Sequence, residues 1–400
     1  MTDHALFDLL VLDLSQYISG PYCTKLLADF GAEVMKIEKP GAGDVARRSG
    51  PFLNDRPDPE KSGLFLFLNT NKKSITLNLD TELGSKIFKE LVKRADVVVE
   101  NFEPGIMAQW GLDYSSLEKI NPGLVMTSIT YFGQDGPYRD YKAVDMTAFA
   151  LGGYMHITGE PDQGPVKAGG FQSEFQAGLN GAIGTLVALN HRDATGVGQY
   201  LDVSATEAVT FVLGGLFPPQ YITGRTEGRV GNRISTPDDA SYPSTTLPCK
   251  DGYVHVHGKH GEPEVLANLM NEPRILAPEL LEKPRGHADD IDVLMLPWLI
   301  EHVKAEIVAQ AQKSRLPFTQ VLDIDEVVQD PHHASRGYFV DIEHPKAGKL
   351  RYPGAPFKMS QTPWRAGRAP LLGEHNEEIY CQRLGFSKED LVKLREMKAI

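Results

Sequence analysis

The chain has 400 residues, of which 41% are hydrophobic, and it carries a formal net charge of -12 at pH 7. Such a length and apolar content can fill a large core, arranged as two domains or as one elaborated domain. The negative charge opposes attraction to phosphate backbones, and no run reaches the roughly 18 apolar residues that cross a bilayer, so nucleic acid and membrane are excluded as partners. Because the first residues also lack a secretory signal, we predict a cytoplasmic protein.

Predicted strands and helices alternate in the first part of the chain. Apolar and Val-rich runs predict the strands, and amphipathic spacing or a Gly-Pro start predicts the helices. In chain order the predicted elements are strand 9–14, helix 20–30, strand 33–38, strand 74–79, helix 83–94, strand 95–100 and strand 124–129. This alternation predicts an α/β fold with a mostly parallel sheet covered on both faces, and ligands at the carboxyl ends of the strands.

A helix rich in small side chains follows at residues 173–192. Its small residues, which let a neighbouring helix approach closely, are Gly178, Gly181, Ala182, Gly184 and Ala188. After a strand at 200–203, residues 223–245 lack apolar periodicity and are rich in Gly, Arg, Thr and Ser. That composition predicts a linker or long loop at a domain boundary.

A smaller α/β domain is predicted beyond that boundary. An alternating strand at 253–257 leads into helices at 264–269 and 294–312, and a charged helix from Ser387 ends the chain. The last part is predicted to return to the main body. We therefore predict a large domain at 1–222, a small domain at 223–330 and a C-terminal return to the large domain at 331–400.

Three familiar kinds of site are disfavoured because the sequence lacks the motif typical of each. The first βαβ unit ends at Glu38, as in dinucleotide sites, but its loop at residues 15–21 lacks the GxGxxG phosphate turn, which disfavours an NAD dehydrogenase. Neither Ser173 nor Ser204 lies in a GxSxG elbow, which disfavours a serine hydrolase. Three widely spaced cysteines and one isolated His-His pair fit no zinc pattern, so we predict no metal site.

Ordered segments along the chain are more informative than any single motif. In chain order they cover residues 20–21, 26–38, 71–75, 95–105, 133–138, 152–153, 191–192 and 195–199. Their sequences include LLADFGAEVMKIE, NKKSI, ADVVVENFEPG, GQDGPY and TGVGQ. Over nearly its full length the chain therefore resembles family III CoA-transferases, the group of formyl-CoA transferase and carnitine CoA-transferase.

The resemblance implies a Rossmann-like large domain, a smaller α/β domain and two interlocked subunits. It also implies covalent catalysis, in which an aspartate near the start of the small-residue helix attacks an acyl-CoA thioester and forms a mixed anhydride. The CoA thiolate then returns to give an enzyme-bound CoA thioester, from which CoA passes to the acceptor acid. CoA is thus a substrate, and no permanently bound cofactor is implied. Alignment on Gly178 and His191-Arg192 puts Glu174 at the aspartate's position.

The resemblance also implies CoA-binding positions, which are Gln16, Lys39, Leu77, Asn101, Phe102 and Lys142. The loop Gly258-Lys259-His260-Gly261 of the small domain is similar to the glycine loop that closes over the active site, where backbone N–H groups would stabilise an oxyanion. Two positions depart from the pattern, because Asp80 and Gln109 stand where family members use Lys or Arg for the nucleotide. An acid there repels phosphate.

These residues leave two functions open and disfavour a third. As a CoA-transferase, the chain would move CoA from an acyl-CoA donor, with succinyl-CoA a reasonable donor, to a carboxylic acid acceptor. Alternatively, it is a non-catalytic subunit of a heterodimer or heterotetramer, as in two-subunit members such as benzylsuccinate CoA-transferase, rather than a homodimer. An α-methylacyl-CoA racemase is disfavoured, because Val144 stands where that branch needs a histidine before Asp145 for proton transfer.

Overall fold

The structure is a computed structural model that describes residues 4–224, 226, 228–233, 242–258, 262–364 and 366–400. Contacts divide the chain into two compact units. The first comprises Met1–Tyr154, Lys167–Arg225 and Ser335–Ile400, and the second comprises Met155–Val166 and Thr226–Ala334. The unit changes at 225/226 and 334/335, and the predicted domain division at 222/223 and 330/331 stays a prediction.

The short segment 155–166, which lies inside the predicted large domain, packs with the second unit instead. Hydrogen bonds to carbonyl oxygens of this segment explain this position. Gly231 N donates to Gly159 O at 2.9 Å, and Arg229 Nε donates to Glu160 O at 3.1 Å. Pairings across such a sequence distance have no local signal, so the sequence pattern could not indicate them.

The first unit is built on a six-stranded, all-parallel sheet. Its strands are β1 Leu10–Asp13, β2 Glu33–Glu38, β3 Lys73–Thr76, β4 Val97–Glu100, β5 Val125–Thr130 and β6 Tyr200–Ser204. They lie in the order β3-β2-β1-β4-β5-β6, which is the doubly wound order of a Rossmann-like sheet. The predicted α/β fold class is therefore confirmed.

Helices cover the sheet, and alternate residues of the four inner strands, β2, β1, β4 and β5, enter two different cores. The helices of this part are α1 Ser19–Asp29, α2 Gly63–Leu68, α3 Glu82–Val92, α4 Ile106–Gln109, α5 Tyr114–Leu117, α6 Asp145–Leu151, α7 Gln172–Thr195, α8 Ala205–Val212 and α9 Phe217–Thr223. In β1, Val11 faces the core that contains α1 and α7, whereas Leu12 faces the core that contains α3. Burial on both faces explains why the strands read as continuous apolar runs.

The small residues of α7 let it lie directly against α1, as predicted. A side-chain carbon at Gly178 would stand 2.4 Å from Ser19 O, and one at Gly181 would stand 2.8 Å from a methyl group of Ile129. Only a hydrogen atom fits at such distances. This contact fixes the first turn of α7 beside the first residue of α1.

The second unit contains a three-stranded antiparallel sheet with helices packed on it. Its strands are β7 Ser244–Cys249, β8 Gly252–His257 and β9 Thr319–Val321, in the order β7-β8-β9. The helices along this part of the chain are α10 Pro263–Met270, α11 Pro278–Glu282, α12 Ala288–Glu301, α13 Lys304–Lys313, α14 Ile324–Gln329 and α15 Pro331–Ser335. The single helix predicted at 294–312 is wrong, because the helix breaks at 302–303, where Asp251 Oδ1 accepts Lys304 N–H at 2.8 Å.

The C-terminal part packs on the edge of the parallel sheet. It contains the antiparallel pair β10 Phe339–His344 and β11 Gly348–Pro353, a π-helix at Glu378–Arg383 and α16 Lys388–Glu396. The Tyr380 hydroxyl donates to Thr76 O at 2.6 Å, and Thr76 N donates to Asn376 Oδ1 at 2.8 Å. Among the described residues, every helix is too short or too polar to span a membrane.

Candidate active site

A cavity of about 590 Å³ opens at the carboxyl edge of the parallel sheet. Its wall includes residues that follow three adjacent strands: Gln16 after β1, Asn101 after β4 and Tyr131 after β5. Glu174, in the first turn of α7, completes this wall. Ligands of doubly wound sheets bind at this edge, so the cavity stands where the sequence pattern predicts a site.

Glu174 is buried in the cavity wall and has a hydrogen-bond donor on each carboxylate oxygen. Glu174 is only 5% exposed. Ser19 N donates to Oε2 at 3.1 Å, and the Tyr131 hydroxyl donates to Oε1. The close packing of α7 on α1 brings Ser19 to this carboxylate, because Gly178 lies one helical turn beyond Glu174 on the same face.

The surroundings raise the pKa of Glu174. Burial is the largest cause, since it disfavours the charged form; the hydrogen bonds from Tyr131 and Ser19 oppose it, and the nearby charge of Asp145 adds to the rise. A carboxylate with a raised pKa is more basic and a stronger nucleophile than an exposed one once it is ionised. A buried carboxylate of this kind in a cleft is suited to covalent catalysis.

Asp145 caps the helix that carries Glu174. Its Oδ1 accepts the N–H groups of Ser173 at 2.9 Å and Glu174 at 3.3 Å. Lys167 Nζ lies 3.5 Å from its other oxygen. This cap satisfies two of the free N–H groups at the start of α7, and it therefore fixes the direction in which Glu174 leaves the helix.

Four of the six predicted CoA-binding residues line the same cavity as Glu174: Gln16, Asn101, Phe102 and Lys142. Asn101 joins two loops, because its Oδ1 accepts Gln16 N–H at 2.7 Å and its Nδ2 donates to Gln16 O at 2.8 Å. The ring of Phe102 packs edge-on against Trp110, and Lys142 Nζ lies 2.5 Å from Glu103 Oε1. Their role in CoA binding stays a prediction.

The other two predicted contacts, Lys39 and Leu77, lie outside the cavity wall. They directly follow β2 and β3, so they stand along the same carboxyl edge of the sheet. Lys39 Nζ is paired with Asp80 Oδ2 at 2.8 Å, with both side chains about half exposed. Leu77 is 2% exposed and its side chain belongs to the core.

The predicted glycine loop is described only at its first residue. Gly258 follows β8, and its N–H donates to Pro243 O at 2.7 Å. Lys259, His260 and Gly261 lie outside the described residues. Their predicted contribution to an oxyanion site stays a prediction.

The sequence motifs did not reveal three of the residues that contact Glu174, which are Tyr131, Ser19 and Asp145. Tyr131 had a positional signal, since it lies two residues beyond the strand predicted at 124–129, whose carboxyl end faces the ligand edge. Ser19 contributes only its backbone N–H, which no side-chain pattern reveals. Asp145 was noted only as a racemase-like position, and Val144 before it is largely exposed and carries no titratable proton.

A second buried carboxyl group lies behind the cavity. Glu100 ends β4 and is 3% exposed, and its Oε2 accepts Phe102 N–H at 2.7 Å. Burial raises the pKa of Glu100 to about 7; the hydrogen bond from Phe102 N–H opposes the rise, and the charge of Asp202 adds to it. The group therefore titrates near neutral pH next to the cavity-lining residues Asn101 and Phe102.

Sequence comparison identifies relatives along nearly the whole chain. The profile of CoA-transferase family III matches residues 6–376. A succinyl-CoA–D-citramalate CoA-transferase of Chloroflexus aurantiacus is 34% identical over 402 residues, which cover 98% of this chain and 97% of the relative. The beta subunit of succinyl-CoA–L-malate CoA-transferase from the same organism is 34% identical over 399 residues, which cover 98% and 96% of the two chains.

Structural comparison agrees with the sequence comparison. The crystal structure of a CAIB/BAIF family protein from Brucella suis matches with a TM-score of 0.85 and 30% sequence identity. The match covers 95% of this chain and 100% of that chain. The shared fold thus includes both units of the chain.

Proposed function

The chain belongs to CoA-transferase family III, and on that basis we propose that it moves CoA from an acyl-CoA donor to a carboxylic acid acceptor with Glu174 as the nucleophile. The observation that carries the proposal is the buried Glu174 carboxylate in the wall of the cavity at the sheet edge. Its raised pKa supports a nucleophilic role over that of a surface carboxylate.

The proposed reaction is a sequence of four acyl transfers at Glu174. The carboxylate attacks the donor thioester carbonyl, which forms a glutamyl mixed anhydride and releases CoA thiolate. The thiolate attacks the glutamyl carbonyl, which forms a glutamyl-CoA thioester and releases the donor acid. The acceptor carboxylate then attacks this thioester, and the thiolate released attacks the acceptor's acyl carbon, which restores the Glu174 carboxylate. No net proton is consumed.

We propose that CoA lies along the carboxyl edge of the sheet. Gln16, Asn101, Phe102 and Lys142 would contact the part nearest Glu174, and Lys39 and the backbone at Leu77 would contact a part farther along the edge. The loop that begins at Gly258 would close over the reacting acyl group. Succinyl-CoA is the proposed donor, because the two relatives described above carry succinyl-CoA in their names.

A second candidate is a subunit that works only with a related chain. Two observations favour it. One relative is a beta subunit. In addition, Asp80 forms an ion pair with Lys39, whose charge would otherwise be available to bind a phosphate. We propose that the chain forms an interlocked dimer, either with a second copy of itself or with a related chain. An active preparation of the chain by itself would rule out the subunit hypothesis.

The deciding experiment is a CoA-exchange assay with succinyl-CoA and a panel of carboxylic acids, using wild type, Glu174→Gln and Glu174→Asp. Glu174→Gln is expected to lose roughly a thousandfold or more in kcat, because an amide is not a nucleophile. Glu174→Asp is expected to lose about a hundredfold, because the shorter side chain withdraws the carboxylate by about 1 Å. Mass spectrometry of acyl-CoA-treated wild type should detect CoA bound to the peptide that contains Glu174.

The outcomes separate the two candidates. If Glu174→Gln retains wild-type exchange activity, Glu174 is not the nucleophile. If the purified wild type is inactive by itself but becomes active when it is mixed with a related subunit from the same host, the subunit hypothesis holds. In that case Glu174→Gln in the mixture reports whether this chain contributes the nucleophile.

A further inference from the structure

Both oxygens of Glu174 have donors, but the two donors differ in kind. Ser19 contributes a backbone N–H at the first residue of α1, which any residue except proline would supply. Tyr131 contributes a side-chain hydroxyl that directly follows β5, and its ring packs against the core between the sheet and α7. Of these two, the Tyr131 contact is the one that a single side-chain change can remove.

Tyr131 keeps its proton in this environment. Burial and the adjacent charge of Glu174 raise the pKa of the Tyr131 phenol well above its ordinary value. The hydroxyl is therefore a hydrogen-bond donor to Glu174 throughout the range in which the enzyme would work. Other titratable groups near this pair are Tyr17 after β1, Asp145 at the start of α6 and Lys167, which pairs with Asp145.

The chemistry of an anhydride uses the two oxygens differently. The oxygen that attacks becomes the bridging atom and gives up its donor, whereas the other oxygen becomes the carbonyl oxygen of the glutamyl group. When the CoA thiolate then attacks that carbonyl, negative charge develops on the carbonyl oxygen. A fixed donor at this oxygen lowers the barrier of the step.

We propose that Tyr131 is a positioning residue for Glu174, which holds one carboxylate oxygen so that the other faces the acyl carbon. This inference rests on the proposed function. Through the cycle, the hydroxyl stays with the oxygen that becomes the glutamyl carbonyl and donates to it in the thiolate attack. The proton remains on Tyr131, and no bond to Tyr131 forms or breaks.

The test is Tyr131→Phe, which keeps the ring and removes only the hydroxyl. The expected result is a fall of about a hundredfold in kcat, with KM for acyl-CoA changed less than about threefold. The loss of the hydrogen bond also removes an influence that lowers the pKa of Glu174. The acidic limb of the kcat profile should therefore move to higher pH, which a loss of folded protein alone would not cause.

The matched control is Tyr352→Phe, which removes a buried tyrosine hydroxyl from β11, outside the cavity wall. It should keep the wild-type kcat and pH profile. If Tyr131→Phe has the same kcat and acidic limb as wild type while Glu174→Gln is inactive, the Tyr131 inference fails and the proposed function stands. If Glu174→Gln is as active as wild type, both fail.

Discussion

One carboxyl group, Glu174, depends on residues from three other parts of the chain. Ser19 and Tyr131 bind its oxygens, and Asp145 caps its helix. Because these contacts act on a buried group, their effect on its pKa is larger than the same contacts would have in water. At the scale of single residues, the site is therefore defined by the partners of Glu174 as much as by Glu174 itself.

Glu100 gives a prediction about stability and pH. Its pKa is raised from 4.5 to about 7 in the folded chain, so the folded state binds this proton more tightly than the unfolded state. The stabilisation is complete below pH 4.5 and is lost as the pH rises through about 7. The loss amounts to about 3 kcal/mol in the free energy of unfolding.

The variant Glu100→Gln is neutral at every pH and should escape that loss. The difference in the free energy of unfolding, variant minus wild type, should therefore increase by about 2 to 3 kcal/mol from about pH 4 to about pH 8. Urea titrations of both proteins at several pH values measure the difference. A difference that does not change with pH would show that the pKa of Glu100 is the same in the folded and unfolded chain.

At the scale of elements, the contact between α1 and α7 positions the site. Gly178 lies against the backbone of Ser19, the same residue whose N–H binds Glu174. Any side chain at Gly178 would therefore push apart the two helices that hold the Glu174 carboxyl group. Gly184, farther along α7, meets only the tip of the Leu201 side chain, which can move.

These two glycines make a matched pair for a test. Gly178→Ala should lower the free energy of unfolding by about 1 to 3 kcal/mol and reduce CoA exchange, because the added methyl group meets a fixed carbonyl oxygen. Gly184→Ala should stay within about 1 kcal/mol of wild type, since the better helix propensity of Ala offsets the small repacking cost. Equal stabilities of the two variants in a denaturant titration would contradict the close contact at Gly178.

At the scale of the whole molecule, α7 leaves an apolar stripe exposed. Its residues recur at helical spacing and are Leu179, Ile183, Leu186 and Val187. Phe211 on the neighbouring α8 is also largely exposed. Apolar side chains grouped on one surface are typical of a protein interface, which agrees with the proposed dimer.

A charge in this stripe should disrupt such an interface. Ile183→Glu is expected to weaken self-association by about 3 kcal/mol or more, which is over a hundredfold in Kd, because a carboxylate would be buried without a partner. Sedimentation velocity of the variant should detect monomer at concentrations where wild type is dimeric. Val392→Glu, at an exposed apolar position of α16, is the control and should sediment like wild type.

The sequence by itself determined the parallel sheet, the family and the candidate nucleophile. These features follow from local patterns: apolar, Val-rich or alternating runs for the strands, small residues along α7, and ordered segments whose alignment puts Glu174 at the family's aspartate position. The sequence also put Gln16, Asn101 and Phe102 near strand ends, which parallel topology then collects at one edge.

Only the tertiary structure decided which groups act on Glu174 and which predicted contacts share its cavity. Tyr131 is 43 residues away in the chain and Ser19 is 155 residues away, and both distances are closed by the packing of α7 against α1 and the sheet. Likewise, Lys39 was predicted as a CoA-binding residue, and folding pairs it with Asp80. Hydrogen bonds and ion pairs across such separations have no periodic signal, because they arise where elements meet and not from the residues within one element.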